Sequence, residues 1–194
     1  MSKLINREEL LAKENLQEIA KELEADIALY NEELTGMDRE ALKKEEEELM
    51  DIFKANDEYV GGVEYELPDE IEYDGRKLKR NEITTKVVGF LNRIEVQFQA
   101  TLGLYQCIRF WKTRGTGKIP YGAFDSTLRM LGTLKFKGEQ DCFDILVVNN
   151  WFTAAHDAYS RDNIWTQYLH ARHQSIMQNM EALDKADAPQ AVAE

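Results

Sequence analysis

Cysteine is scarce in this chain. Cys107 and Cys142 are the two in 194 residues, and they lack the C-x-x-C spacing of zinc and redox motifs. One disulfide between them is open on sequence alone, but apolar neighbours favour reduced, buried thiols in a cytosolic setting. Long hydrophobic runs are missing too. The longest, Ile145-Leu146-Val147-Val148, is far short of the roughly 18 residues of a membrane span. The opening Met-Ser-Lys-Leu-Ile-Asn-Arg-Glu-Glu has no apolar stretch of signal-peptide length. These absences predict a soluble cytoplasmic protein without a membrane partner. Positive charge is also short: 24 Lys/Arg stand against 36 Asp/Glu, for a net charge of −12. A surplus of that sign repels phosphate backbones and anionic lipid.

What is present suffices for a folded core, with 43% hydrophobic and 10% aromatic residues. The length fits one ordinary domain plus an appendage. The charge is unevenly spread. Residues 1–60 hold 8 Lys/Arg and 18 Asp/Glu, a net of −10, whereas residues 61–194 hold 16 and 18, a net of −2. The acidity therefore belongs to an N-terminal arm and not to the body.

In that arm Leu16, Ile19, Leu23, Ile27, Tyr30 and Leu34 recur at spacings of three and four. This predicts an amphipathic helix from Arg7 to Leu34 with a narrow, coiled-coil-like seam. Gly36 is a natural stop and Asp38 a natural cap for a second helix from Arg39 to Asn56, so an antiparallel hairpin is expected. Its second helix carries Glu45-Glu46-Glu47-Glu48 and few large apolar residues. Such a hairpin is marginal alone and needs a surface to dock on, in this copy or another.

Gly61-Gly62 marks a boundary. Beyond it, Asp74-Gly75 between alternating residues predicts a β-hairpin that pairs Tyr73 with Arg76 and Ile71 with Leu78. It is the one β element the pattern supports. Asn81 is read as the cap of a long helix to about Lys112, apolar on two faces, as the central post of a bundle would be. The loop Arg114–Lys118 follows. Pro120 opens a helix that ends at Gly132, and further helices are expected at about 139–159 and 162–183. The fold class is thus mainly α: an acidic helical hairpin arm (1–60), a β-hairpin connector (61–80), a helical bundle (81–184) and a frayed tail (185–194).

Motifs with chemical content are weak. Gly115-Thr-Gly-Lys118 lacks the first glycine of a phosphate-binding loop, which is Lys112 here. It also lacks the Ser/Thr after the lysine, which is Ile119. His170 and His173 are three apart on one helix with His156 on the preceding one, the germ of a metal site. Glu-x-x-His pairs, the usual helical ligand pattern, are missing. No Gly-x-Ser-x-Gly occurs. Neither a catalytic residue nor a cofactor is assigned. Two basic clusters stand out, Arg76-Lys77 with Lys79-Arg80, and Arg109, Lys112, Arg114 and Lys118 beside Trp111. They suit nucleic acid, or the receiving surface for an acidic arm, and the charge asymmetry favours the second.

The segments Tyr65-Glu-Leu-Pro-Asp-Glu-Ile-Glu-Tyr-Asp-Gly-Arg-Lys-Leu-Lys-Arg80 and Tyr121-Gly-Ala-Phe-Asp-Ser-Thr-Leu-Arg-Met-Leu-Gly132 resemble small helical proteins encoded with the structural genes of tailed bacteriophages. The resemblance covers about residues 63–183. It implies a non-enzymatic role in a large assembly such as a virion, with the host cytoplasm or the virion as its place, and it carries over no functional residues.

The expectation is a non-enzymatic interaction protein, a homo-oligomer or a subunit of a larger complex. Leu16, Ile19, Leu23, Ile27 and Leu34 supply its apolar seam, and Arg76, Lys79, Arg80, Arg109 and Arg114 its electrostatic contacts. The alternatives are a helical-bundle enzyme with a metal at His156, His170 and His173, and a nucleic-acid factor using the basic clusters.

Overall fold

A computed structural model describes residues 4–93, 117–133 and 139–187. The fold is mainly helical, as the periodicity predicts. In chain order the elements are α1 (Arg7–Leu11), α2 (Leu16–Leu34), α3 (Arg39–Gly62), β1 (Glu64–Glu66), β2 (Glu70–Tyr73), β3 (Arg76–Lys79) and α4 (Arg80–Arg93). They continue with β4 (Lys118–Pro120), α5 (Tyr121–Thr133), α6 (Glu139–Phe152), a single 3-10 turn at Thr153–Ala155, and α7 (His156–Asp187). These form two compact units, one of Met1–Glu58 with Ser160–Glu194, the other Tyr59–Tyr159.

The first unit departs from an arm standing apart from a body, because the C-terminal helix joins it. Its core draws Ile19, Leu23, Tyr30 and Leu34 from α2, Leu42, Leu49 and Phe53 from α3, and Trp165, Tyr168, Leu169 and Ile176 from α7. The thin apolar stripe of the α2–α3 hairpin thus finds its missing surface in its own chain. α3 runs antiparallel to α2, with Tyr30 bonded to Glu45. α7 runs parallel to α2: Arg161 reaches residues 11–14, and Tyr168 reaches Asp26.

The predicted helix from Arg7 to Leu34 is broken. Asn15 caps α2 by accepting from the Gln17 N–H at 2.9 Å, with Glu18 three residues on, a capping signature legible in the sequence. The carbonyls left open at the end of α1 are taken by the guanidinium of Arg161, which donates to Leu11 O at 2.8 Å and Glu14 O at 2.9 Å. Arg7 pairs in turn with Asp162 at 2.9 Å. At the hairpin turn Asp38 caps α3 as expected, accepting from Ala41 N–H at 2.8 Å. α3 itself runs through Gly61-Gly62 instead of stopping near Asn56.

In the second unit the predicted hairpin is present in the predicted register, Tyr73 opposite Arg76 and Ile71 opposite Leu78. Asp74 and Gly75 have φ of 52° and 69°, the positive pair a type I′ turn requires. A second ribbon was not foreseen. β1 pairs antiparallel with β4, Tyr65 opposite Ile119, so Pro120 ends a strand and the helix starts at Tyr121. The pairing continues where Leu67 N–H donates to Gly117 O at 2.9 Å. Asn81 also differs from its reading as a cap: it lies inside α4, and Glu82 reaches back to the Lys79 N–H at 2.8 Å.

The core of this unit gathers Tyr65, Leu78, Ile83, Ile119, Phe124, Val147, Trp151, Phe152 and Tyr159. Trp151 Nε1–H donates to Pro68 O at 2.8 Å, fixing α6 to the chain between the ribbons. The long helix expected from Asn81 is described as far as Arg93. Its remainder, with Cys107, Arg109 and Arg114, lies outside the described residues, as do residues 134–138 and 188–194.

Gly117, from the segment inspected as a phosphate loop, has a packing role. A Cβ there would sit 2.1 Å from the backbone oxygen of Leu67, a contact that no side-chain rotation relieves. Gly117→Ala is therefore expected to destabilise the second unit by about 3 kcal/mol. Gly122→Ala in α5, where nothing lies within 4 Å, is expected to gain about 0.5–1 kcal/mol. Urea denaturation of both variants checks the pair, and equal midpoints would contradict the packing role.

Candidate functional site

Charged residues lie within the buried stripes of α2, α3 and α7. In α2, Ile19, Leu23, Asp26 and Tyr30 follow the four-three-four spacing of a helix seam, so Asp26 takes the place that sequence reading gave to Ile27. In α3 the corresponding residue is Glu45, between Leu42 and Leu49. In α7 it is Arg172, between Leu169 and Ile176. Asp26 and Glu45 are each 9% exposed, and Arg172 is 3% exposed.

These residues meet. The Arg172 guanidinium lies 3.3 Å from Asp26 Oδ2 and stacks 4.0 Å from the centroid of the Tyr30 ring, with the Tyr168 ring at 5.5 Å. Tyr168 O–H donates to Asp26 Oδ2 at 2.6 Å, and Tyr30 O–H donates to Glu45 Oε1 at 2.9 Å. One guanidinium, two carboxylates and two phenols thus form a continuous network across three helices. Farther along, Asn56 Nδ2–H donates to Thr166 Oγ1 at 3.1 Å. Burial first, then the hydrogen bond to a carboxylate, raises the phenol pKa of Tyr30 and of Tyr168 well above the ordinary 10. In the second unit Tyr159, which donates to Asp125 at 2.6 Å, is raised for the same reasons.

Beside the network lies an open groove of about 330 Å³, walled by Ala20, Leu23, Glu24 and Ile27 of α2 and Ile164, Gln167, Tyr168 and Ala171 of α7. Tyr168 belongs to both features: its ring lines the groove, and its hydroxyl holds Asp26.

The sequence-predicted residues divide accordingly. Ile19, Leu23 and Leu34 are buried against their own chain's α3 and α7. Leu16 and Ile27 are half-buried, and Ile27 faces the groove. The first basic cluster is neutralised locally. Glu70 stands opposite Lys79 and Glu72 opposite Lys77, Lys77 lies 3.6 Å from Glu70, and Arg80 pairs with Asp69 at 2.8 Å. Arg76 is exposed on the opposite face of the ribbon from Lys77 and Lys79.

His170 and His173 flank Phe53, with ring centroids at 5.0 and 6.0 Å, and His173 lies 3.5 Å from Glu46. His156 is not on the preceding helix as expected: it opens α7, which carries the other two histidines, but lies in the other unit. Among the described residues no group of three or more His, Cys, Asp or Glu side chains is placed to hold a metal ion. No described helix is long and apolar enough to cross a membrane.

Sequence reading missed Asp26, Glu45 and Arg172, because a charged residue is assigned to the solvated side by default. Both 19-23-26-30 and 19-23-27-30 keep helical spacing, so periodicity alone did not choose between Asp26 and Ile27. No protein-family model, curated protein or solved structure matches this chain.

Two predictions follow from the network. Replacing Asp26 by Ala strands a guanidinium in an apolar core and is expected to cost about 3–5 kcal/mol. The double replacement Asp26→Leu with Arg172→Met is expected to cost clearly less, because no charge is left buried. A thermodynamic cycle by denaturant titration measures the difference. For pH, the raised phenol pKa values mean that the folded state favours neutral tyrosine. The stability they contribute is fully present below about pH 10 and is lost as pH rises toward the folded-state values. Absorbance at 295 nm should show the phenols of Tyr30, Tyr159 and Tyr168 ionising only with unfolding. A single smooth titration without unfolding would contradict this.

Proposed function

We propose that this chain is a non-enzymatic interaction protein, a component or assembly factor of a larger complex, and that its acidic three-helix unit binds a cationic surface on another protein. The observation that carries the reading is the segregation of charge between the two units. Residues 1–58 and 160–194 hold 11 Lys/Arg and 23 Asp/Glu, a net of −12, while residues 59–159 hold 13 of each, a net of zero. The whole formal charge of the molecule thus sits on one unit. A field of one sign on one body steers association and selects partners of the opposite sign.

The polar groups gathered in the core of that unit support the same reading, since they are turned onto one another across three helices. This suits a scaffold held in one register. The resemblance to helical proteins encoded with tailed-bacteriophage structural genes agrees with a virion, or its construction, as the larger assembly.

The test uses the full chain in the cells that naturally make it. Cross-linking followed by mass spectrometry is expected to join it to another protein through residues of the acidic unit. Reversal of four exposed carboxylates away from the helix starts, Glu32, Glu47, Asp51 and Asp57, to lysine is expected to reduce that product at least tenfold with the circular dichroism spectrum unchanged. A chain that migrates as an unaccompanied monomer in gentle extracts at both low and high salt sinks the proposal.

A further inference from the structure

The groove between α2 and α7 has the form of a helix seat, and three features fix what fits it. First, its walls are periodic. Ala20, Leu23/Glu24 and Ile27 on one side, and Ile164, Gln167/Tyr168 and Ala171 on the other, repeat at the three-, four- and seven-residue intervals at which an amphipathic helix presents its own apolar side chains. Seven residues span about 10 Å of helix, so the occupant contacts the walls over about two turns.

Second, the walls belong to a pair of parallel helices, and α3 contributes no residue to them. Alanines at Ala20 and Ala171 allow an incoming helix to approach at the 8–10 Å axial distance of ordinary helix packing. The groove therefore has the place that a fourth helix takes beside a three-helix core.

Third, the charge around the groove selects the occupant. Glu24 is the one charged residue in its walls. On α7, Arg172 is the only Lys, Arg, Asp or Glu between Asn163 and Met180, and it is buried and takes no part in the walls. On the exposed side of α2 the same turns carry Glu18 and Glu24 against Lys21. A second copy of this chain would bring another −12 to a unit that already carries −12. A helix with lysine or arginine on its outer face gains from the field instead.

We propose that the groove formed by Ala20, Leu23, Ile27, Ile164, Tyr168 and Ala171 binds a single amphipathic helix of a partner protein, apolar toward the groove and cationic outward. This rests on the function proposed above and gives it a location.

The experiment titrates the full chain with two synthetic 14-residue helices. One has leucine at positions one, four, five, eight and eleven and lysine elsewhere, and its twin has glutamate in place of lysine. Calorimetry is expected to show the lysine peptide binding the wild-type chain and the glutamate peptide not binding. Ala171→Trp fills the groove and is expected to weaken binding at least tenfold. Gln167→Lys, a soluble exposed change that leaves the core intact, is expected to weaken it at least fivefold.

Undiminished binding to both variants overturns the groove while leaving the acidic unit as a cation-binding surface. Absence of binding by the lysine peptide at millimolar concentration, or equal binding by the glutamate twin, overturns it as well. A wild-type dimer that Ala171→Trp dissociates assigns the groove to a second copy and ends the proposal.

Discussion

Arg172 carries a full positive charge into the centre of a three-helix core, and the surrounding residues are the ones that make this tolerable. Moving a guanidinium out of water costs several kcal/mol even after relaxation. Against that stand the Asp26 carboxylate at 3.3 Å, the Tyr30 ring at 4.0 Å and the charge-assisted bond by which Tyr168 holds Asp26. None of these partners is interchangeable with an apolar residue while the arginine remains. Sliding α7 by one turn would leave the guanidinium without its carboxylate and Asp26 without its phenol. The network thus fixes the order and register of the helices, a task that a smooth apolar stripe performs poorly.

The two units treat charge in opposite ways. On the β2–β3 ribbon an acidic strand lies beside a basic one, with Glu70 opposite Lys79 and Glu72 opposite Lys77, so the field cancels within a few ångströms. On α2 and α3 the carboxylates outnumber their cations, and few are compensated in place: Lys13 with Glu22, and Lys44 with Glu48, are surface pairs of small energetic weight. The inner face of the first unit is therefore a matched electrostatic device, while its outer face is unmatched. Unmatched charge of one sign lowers the stability of the unit that bears it and increases its attraction for something else.

Much of this was legible in the sequence, for local reasons. The Asp74-Gly75 turn carries its own instruction, since two consecutive positive φ values are a demand that few dipeptides meet, and the strand register follows from it. The α2–α3 turn was legible because Asp38 is a cap that acts within three residues. What escaped depends on partners far along the chain. β1 finds β4 from far along the chain, and Lys118-Ile119-Pro120 has no strand pattern by itself. The stripes of α2 and α7 lie more than a hundred residues apart, and nothing in either one names the other. The charged seam residues escaped for a different reason. Burial of Asp26 is sensible only once Arg172 and Tyr168 are beside it, and pairwise compensation of that kind is invisible to a scan that reads one helix at a time.

The division of the chain orders events during synthesis. α2 and α3 leave the ribosome early, but the part of α7 that completes their core begins at Ser160, after the entire second unit. At about 5–20 residues per second, the hairpin waits for several seconds with Ile19, Leu23, Leu42 and Leu49 uncovered. Closing so long a loop carries an entropic cost that grows only slowly with its length. Residues 1–58 already carry a net charge of −10 at that stage, and like charge of that size opposes the approach of two such uncovered hairpins.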